Sequence, residues 1–383
     1  MNRKPVITSL QLLLMAVGSA LVFPFTFLPI LNAPPANQDA WVVLLLACVY
    51  IFMINVPLLF LANKFRGVSA IQATEITMGK FFGKVVLIPF LAFFIYCYMA
   101  CLLITAIFIE LYIFPRTPTW ALLIFMVVPV IYATWKGAGT IGRLANFLVP
   151  FAALVVVVFF ILSISELDFG LLQPMLSDST FVELNLGAFF TGARYSEILI
   201  FWVFSNYLGK KYSINKTYAA TLGTFALLFM LILLPTMMIL GTDYAKMAWN
   251  PYYTFTRQLK AFGFLERVQA INIIAWFPMA VLKLALYSYM ACEVLSGIVK
   301  AKTHKYFVIP VSVIVFVGSL LPFMNKSSTV ELLRSDAVMP FIVTPVIFVV
   351  PVIILIVYLM RRKKINQAIK QARTKTDLRN DRE

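Results

Sequence analysis

An all-α membrane protein of ten transmembrane helices, arranged as a five-plus-five inverted repeat with helices 1 and 6 broken midway, is the architecture the sequence predicts. Three observations predict it. Hydrophobic residues make up 62% of the 383 positions and charged residues only 13%, far from the balance of a soluble domain. The apolar residues come in long blocks, and a bilayer core needs about 20 of them per helical crossing. The first and sixth blocks carry glycine, serine or proline in their middles, where a regular helix would avoid them.

The blocks run roughly 8–31, 40–62, 85–113, 119–135, 143–164, 186–208, 217–240, 268–299, 306–324 and 338–360. Together they form one transmembrane domain, 1–360, followed by a basic tail, 361–383. Lipid offers no water to unsatisfied backbone groups, so each block is expected to be helical, and the short alternating strands of a barrel are missing. The first block is too long for a cleaved signal peptide, and no small-residue cleavage site follows Ile30.

Net charge is +16, which raises the question of a nucleic-acid partner. With the N-terminus inside, 23 of the 32 Lys and Arg fall in cytoplasmic segments, which is the positive-inside pattern of a membrane protein. Topology therefore accounts for the charge, nucleic acid is not expected, and both termini are expected in the cytoplasm. The tail is either a solvated anchor or a surface for anionic lipid or a partner. Segment 63–84, with Phe81 and Phe82, is either an interfacial helix or a solvated loop. Segment 165–185 is acidic and expected outside.

In the first block, "LLLMAVGSALVFPF" places Gly18-Ser19 mid-span and Pro24 a turn and a half later. At the corresponding place in the sixth, "AFFTGARYSEIL" has Gly192-Ala193. Small residues also let neighbouring helices pack closely, but their matched positions favour two opened helices whose freed N–H and C=O groups meet a ligand near the midplane. Gly192 is expected to open helix 6.

Charge within the bilayer costs at least about 2.5–3.5 kcal/mol per residue on insertion scales, so the ionisable residues in the spans are candidates for function. Arg194 and Glu197 are three apart and either neutralise one another or meet a ligand's amine, a proton or an anionic group. Lys283 lies deep in the eighth block with Tyr287 at i+4 on the same stripe. It either snorkels to an interface or acts as a fixed or titrating cation. Tyr98, Cys101 and Thr105 form a polar stripe in the third block, suited to a pocket wall or to helix–helix contact. The four cysteines (Cys48, Cys97, Cys101, Cys292) lie in apolar spans and imply neither disulfide nor metal. A lone histidine, His304, leaves no metal cluster or triad, and no cofactor is expected.

The segments "TEITMGKFFGKVV" (74–86), "GAGTIGRLANFLVPF" (137–151) and "GFLERVQAINIIAWFPMAVLKLALYSYMA" (263–291) resemble the B-subunit family of bacterial spore germinant receptors, the GerAB-type spore permeases. Gly142-Arg143, Leu265-Glu266-Arg267, Trp276 and Lys283 carry the resemblance, which runs from Thr8 to about Met360. It implies a LeuT-like fold of the amino acid–polyamine–organocation superfamily. It also implies nutrient sensing, typically of amino acids, at the inner membrane of the spore, with a larger membrane A-subunit and a lipoprotein C-subunit as partners. By the same resemblance the ligand would meet Gly18, Ser19, Tyr98, Cys101, Glu197, Leu199, Lys283 and Tyr287; on the residues' own chemistry, Gly192, Arg194, Glu197 and Lys283 would open the helix or handle protons and ions. One departure stands out: the proline that the family often has after the helix-six glutamate is absent from "EILIFWVFSNYL".

The sequence therefore predicts a receptor subunit that binds a small nutrient, with a free-standing proton-coupled amino-acid transporter and an inert scaffold as the other readings. An enzyme is not expected: no nucleophile with an orienting base, phosphate loop or metal cluster is visible.

Overall fold

The computed structural model describes residues 7–195, 199–209, 211–259, 269–321 and 343–369. Among them every regular element is helical, and the one β-bridge pairs Ile7 with Leu208. Six helices are long and apolar enough to cross a membrane: α2 (Ala40–Lys64), α4 (Lys80–Tyr112), α5 (Thr119–Lys136), α6 (Ala138–Ser163), α9 (Ile214–Leu240) and α12 (Gln269–Val299). A seventh candidate is a pair bent by 97°, Pro345–Met360 followed by Arg362–Ile369. The remaining predicted spans are shorter or interrupted: α1 (Ser9–Leu21), α7 (Phe181–Arg194) with α8 (Leu199–Phe204), and α13 (Lys305–Ser319). Segment 63–84 does hold a helix, α3 (Ala70–Met78), and Phe81 and Phe82 stand exposed at the start of α4.

α1 and α7 are built alike. Each opens with a capping box, Thr8 with Gln11 and Thr180 with Glu183, in which side chains satisfy the first free N–H groups at both ends of the box. Each then stops after 13 or 14 residues, far short of a bilayer. The matched pair, one at the head of each half, is the signature of an internal repeat.

α12 is the central helix, packing on α1, α4, α5, α6 and α13. Its residues from Leu282 to Cys292 are buried without exception. The outer surface is apolar instead, with Phe125, Val128, Phe147, Leu154 and Leu227 all exposed. An apolar exterior over a core that holds Lys283, Asn55 and Asn272 inverts the pattern of a soluble protein and fits lipid as the surrounding solvent. The basic tail is not wholly solvated: in Arg362–Ile369, Ile365 and Ile369 are buried and the Tyr358 hydroxyl donates to Asn366 at 3.0 Å.

Candidate functional site

The end of α1 and the middle of α12 form the junction that the fold builds with polar groups. Pro24 has no N–H, so the carbonyl four residues earlier loses its helical partner and α1 cannot continue. The chain leaves the helix at Leu21, and residues 22–26 run as irregular turns. Thr26 partly repairs the break, its hydroxyl lying 3.4 Å from the Val22 carbonyl. α12 supplies the rest. Trp276 Nε1 donates to the Val22 carbonyl at 3.1 Å, and Lys283 Nζ donates to the Ser19 carbonyl at 2.9 Å. Trp276, Lys283 and Tyr287 are seven and four residues apart, so they share one stripe of α12.

Lys283 is fully buried, and its burial has visible compensation. The ammonium sits at the C-terminal end of α1, where the helix dipole and the terminal carbonyls present negative charge. It also lies 4.1 Å from the Phe23 ring centroid and 5.7 Å from that of Tyr287, within cation–π range. Lys283 therefore does not snorkel; it is aimed at the broken helix.

The other expected site residues divide. Gly18 is buried inside α1 facing α6 and α12: a Cβ there would come within 2.4 Å of Val149 Cγ2 and 3.3 Å of Leu282 Cδ2. It is a close-packing residue one turn before the break. Gly192 likewise does not open helix 6. α7 runs through it to Arg194 and turns at Tyr195, and a Cβ on Gly192 would lie 3.1 Å from Tyr50 Cβ and 3.3 Å from the Ala47 carbonyl of α2. The break falls about three residues later than expected because this glycine serves helix contact. Arg194, half-buried, ends α7, close enough to α4 for its charge to act on Tyr96. Leu199 is buried at the start of α8. Glu197 lies outside the described residues.

Tyr98 and Cys101 are buried on α4. The Tyr98 hydroxyl looks toward Ser288 of α12 and Ser312 of α13, and the three hydroxyls face one another without a hydrogen bond of normal geometry. Ser288 is five residues from Lys283, about 140° round the helix, so Tyr98 meets a different face of α12. Thr105 bonds the Cys101 carbonyl of its own helix at 2.7 Å. The structure thus brings together Ser19, Lys283 and Tyr287, and sets Tyr98 and its stripe apart from them.

A cavity of about 30 Å³ lies between the two interrupted helices, walled by Ala16 and Ala20 of α1, Tyr195, Phe201 of α8, and Tyr218 and Phe225 of α9. It has room for roughly two water molecules, and its walls are mostly apolar. Behind it Asn55 donates to the Ile51 carbonyl at 2.6 Å and to the Tyr218 hydroxyl at 3.3 Å, a polar knot between α2 and α9. None of the residues expected to meet a ligand lines this cavity. Among the described residues no group of His, Cys, Asp and Glu is placed to hold a metal ion.

A family model described as "Spore germination protein" matches residues 6–328. The chain belongs to the spore germination protein family. Two curated relatives of this germination protein come from Bacillus subtilis (strain 168). The putative spore germination protein YfkT is 24% identical over 344 residues, covering 88% of this chain and 90% of that protein. The spore germination protein YndE is 18% identical over 267 residues, covering 70% and 73%. Among solved structures, MhsT in complex with L-phenylalanine superposes with a TM-score of 0.57 at 15% identity, covering 94% of this chain and 99% of that one. Inward-facing Mhp1 gives 0.52 at 13% identity, with 88% and 76% covered, and a mutant of the Eremococcus coleocola manganese transporter gives 0.55 at 11%, with 93% and 78% covered. At such identities the likeness speaks for the fold, which is the LeuT-like transporter fold the sequence predicts. The family and its structural neighbours are permeases and transporters, and the germination protein is not an enzyme.

Sequence reasoning singled out Trp276 by resemblance but gave it no role, and it missed Phe23 and Tyr195 entirely. All three are aromatic residues in apolar runs, where the sequence offers no sign of which ring faces a break. Pro24 was the available signal, since a proline fixes where the helix must end.

Proposed function

We propose that this germination protein is the membrane subunit of a spore germinant receptor, binding a small nutrient at the junction of broken α1 with α12. The observation that carries the reading is Lys283, fully buried, with its ammonium 2.9 Å from the Ser19 carbonyl at the point where α1 stops. A buried charge yields little net stability once its desolvation is counted, so function is the better reason for its presence. An amino acid suits the surroundings: its ammonium can compete with Lys283 and Trp276 for the carbonyls at the end of α1, its carboxylate can face Lys283, and an apolar side chain can enter the cavity between the interrupted helices. Glu197 and Arg194 would complete the polarity on the helix-six side, with Tyr287 beside the ammonium and Leu199 at the start of α8. Binding would shift a two-state equilibrium of the bundle, read by a larger membrane subunit and a lipoprotein subunit in the inner membrane of the spore, with both termini cytoplasmic. The chain would act as one ten-span domain, 1–360, with its basic tail at the membrane surface.

A second reading is a proton-coupled amino-acid transporter of the same fold, favoured by structural neighbours that are transporters, one of them solved with L-phenylalanine. Two measurements on the purified chain test both readings. In a thermal-shift screen of amino acids, a nutrient is expected to raise the melting temperature of the wild type but not of Lys283→Met. A variant that responds like the wild type would remove Lys283 from the site. In proteoliposomes holding only this chain, radiolabelled nutrient is expected to bind without accumulating, whereas accumulation would establish the transporter.

A further inference from the structure

Helix 6, the interrupted pair α7 and α8, ends in a short turn, Ser205–Tyr207, on the face that carries Arg66, Lys136 and Lys305, the basic face, and a second polar cluster holds it there. The Tyr207 hydroxyl donates to Glu293 Oε1 at 3.2 Å and lies 2.8 Å from the Tyr289 hydroxyl. A phenol has one proton, and Tyr207 spends it on Glu293, so Tyr289 is the donor in the second bond. At the other end, His304 Nε2 lies 3.2 Å from the Thr134 carbonyl. A carbonyl can only accept, so Nε2 carries a proton, and in the neutral ring Nδ1 is then bare. That bare nitrogen stands 3.9 Å from Glu293 Oε2. The donor directions run from Tyr289 through Tyr207 to the carboxylate, and from His304 away toward α5. Where the two runs meet, the imidazole Nδ1 faces the carboxylate.

We propose that Glu293 and His304 form a proton-binding site on the basic face, and that uptake of a proton rearranges the tie between the end of helix 6, α12 and the α5–α6 turn. The site is built on four parts of the fold. His304 packs edge-on against Tyr289 with ring centroids 4.9 Å apart. A Cβ added to Gly137, whose φ of +87° makes the tight α5–α6 turn, would lie 3.6 Å from the imidazole. Tyr289 in turn packs on Phe204, the last residue of α8. Helix 6 is tied further at this point by the Ile7 N–H to the Tyr207 carbonyl at 2.7 Å, and by Arg66 to the Gly209 carbonyl at 2.8 Å.

Among the described residues, the charged and titratable groups around the imidazole include Glu293 and Tyr289 from α12, Tyr207 from the turn, and Lys305 from α13, whose ammonium is directed to the Trp135 ring. Lys302 is exposed in the same loop, and Lys136 of α5 turns to Tyr132. Burial pushes His304 below its ordinary 6.5, and Lys305 adds to this, against the bond to Thr134. The sign follows: neutral His304 supports this arrangement fully above pH 6.5, and the support is lost as pH falls through the lowered value. A proton that does enter finds Glu293, and the two must close from 3.9 Å to make an ion pair, which moves the loop, α12 or both. The inference concerns a proton and stands apart from the identity of any nutrient.

With one histidine in the chain, a single imidazole reports on the site. The full chain, labelled with ¹⁵N-histidine, carrying a histidine-free tag and held in lipid nanodiscs, is titrated by NMR. The neutral form is expected to show the Nε2–H tautomer and to titrate below 6.5. Glu293→Gln removes the facing carboxylate and should lower that value by roughly a unit. Tyr207→Phe removes a donor from the carboxylate and should raise it. Should either variant fail to fold, Tyr289→Phe, one bond further out, should shift it in the same direction as Tyr207→Phe. Hydrogen exchange in 205–212, corrected for intrinsic pH effects, should quicken on acidification in the wild type and not in His304→Gln. An imidazole that titrates alike in all variants, or an exchange profile indifferent to His304, would overturn the proposal.

Discussion

Trp276 shows how one side chain can hold a broken helix open. Its indole N–H has a single proton to give, and it gives it to Val22, the first residue beyond α1. Phenylalanine at this position would keep most of the ring's packing and leave the carbonyl with only the Thr26 hydroxyl at 3.4 Å. Trp276→Phe is therefore expected to lower stability by about 1–3 kcal/mol, measured by unfolding in detergent, while leaving the amount of folded protein usable for binding. Lys283 works on the same segment by charge. Its place was half legible in the sequence: the stripe with Tyr287 and its depth in the span could be read, but its partner could not, because the Ser19 carbonyl belongs to a backbone group that every residue has. Phe23 was invisible for a similar reason, one phenylalanine among 35. Glu197, the residue the sequence made most conspicuous, lies outside the described residues.

At the scale of elements, the interruption of helices 1 and 6 was legible, and its cause was only partly so. Gly18-Ser19 with Pro24 was expected to mark the first break, and Gly192 the second. In the structure Pro24 marks the first, and both Gly18 and Gly192 are instead places where another helix packs closely, tightest at Gly18. A glycine in a membrane helix can weaken it or admit a neighbour, and the sequence does not say which. Gly187 makes the distinction testable, since a Cβ there would lie 1.8 Å from the Pro34 carbonyl, backbone that cannot step aside by a rotamer change. Gly187→Ala is expected to destabilise the protein by on the order of 3 kcal/mol. Gly223 of α9, with nothing within 4 Å, is the control: Gly223→Ala should be neutral or slightly stabilising. Equal melting temperatures for the two variants would contradict the close-approach reading. The capping boxes of α1 and α7 were readable as Thr-x-x-Gln and Thr-x-x-Glu, yet only the structure shows that they open matching short helices.

Over the whole molecule, composition and block length were enough for a polytopic helical protein, because lipid admits so few alternatives. The repeat and the ordered motifs added the LeuT-like fold, now supported by the family match and by the solved transporters of similar shape. What remained hidden was long-range: which face of α12 meets α1, and how the end of helix 6 is tied to His304 on the basic face. Both depend on side chains more than 80 residues apart, such as Lys283 with Ser19 and Tyr207 with Glu293. Two ties then act on the interrupted helices, one in the middle of α12 through Lys283 and one nearer its C-terminal end through Glu293. The most direct measurement of the central claim is hydrogen–deuterium exchange of the full chain with and without a nutrient that raises its melting temperature. Residues 18–28 and 276–287 are expected to exchange more slowly with nutrient bound, and Lys283→Met should abolish the difference; slowing confined to other helices, with these two stretches unmoved, would contradict it.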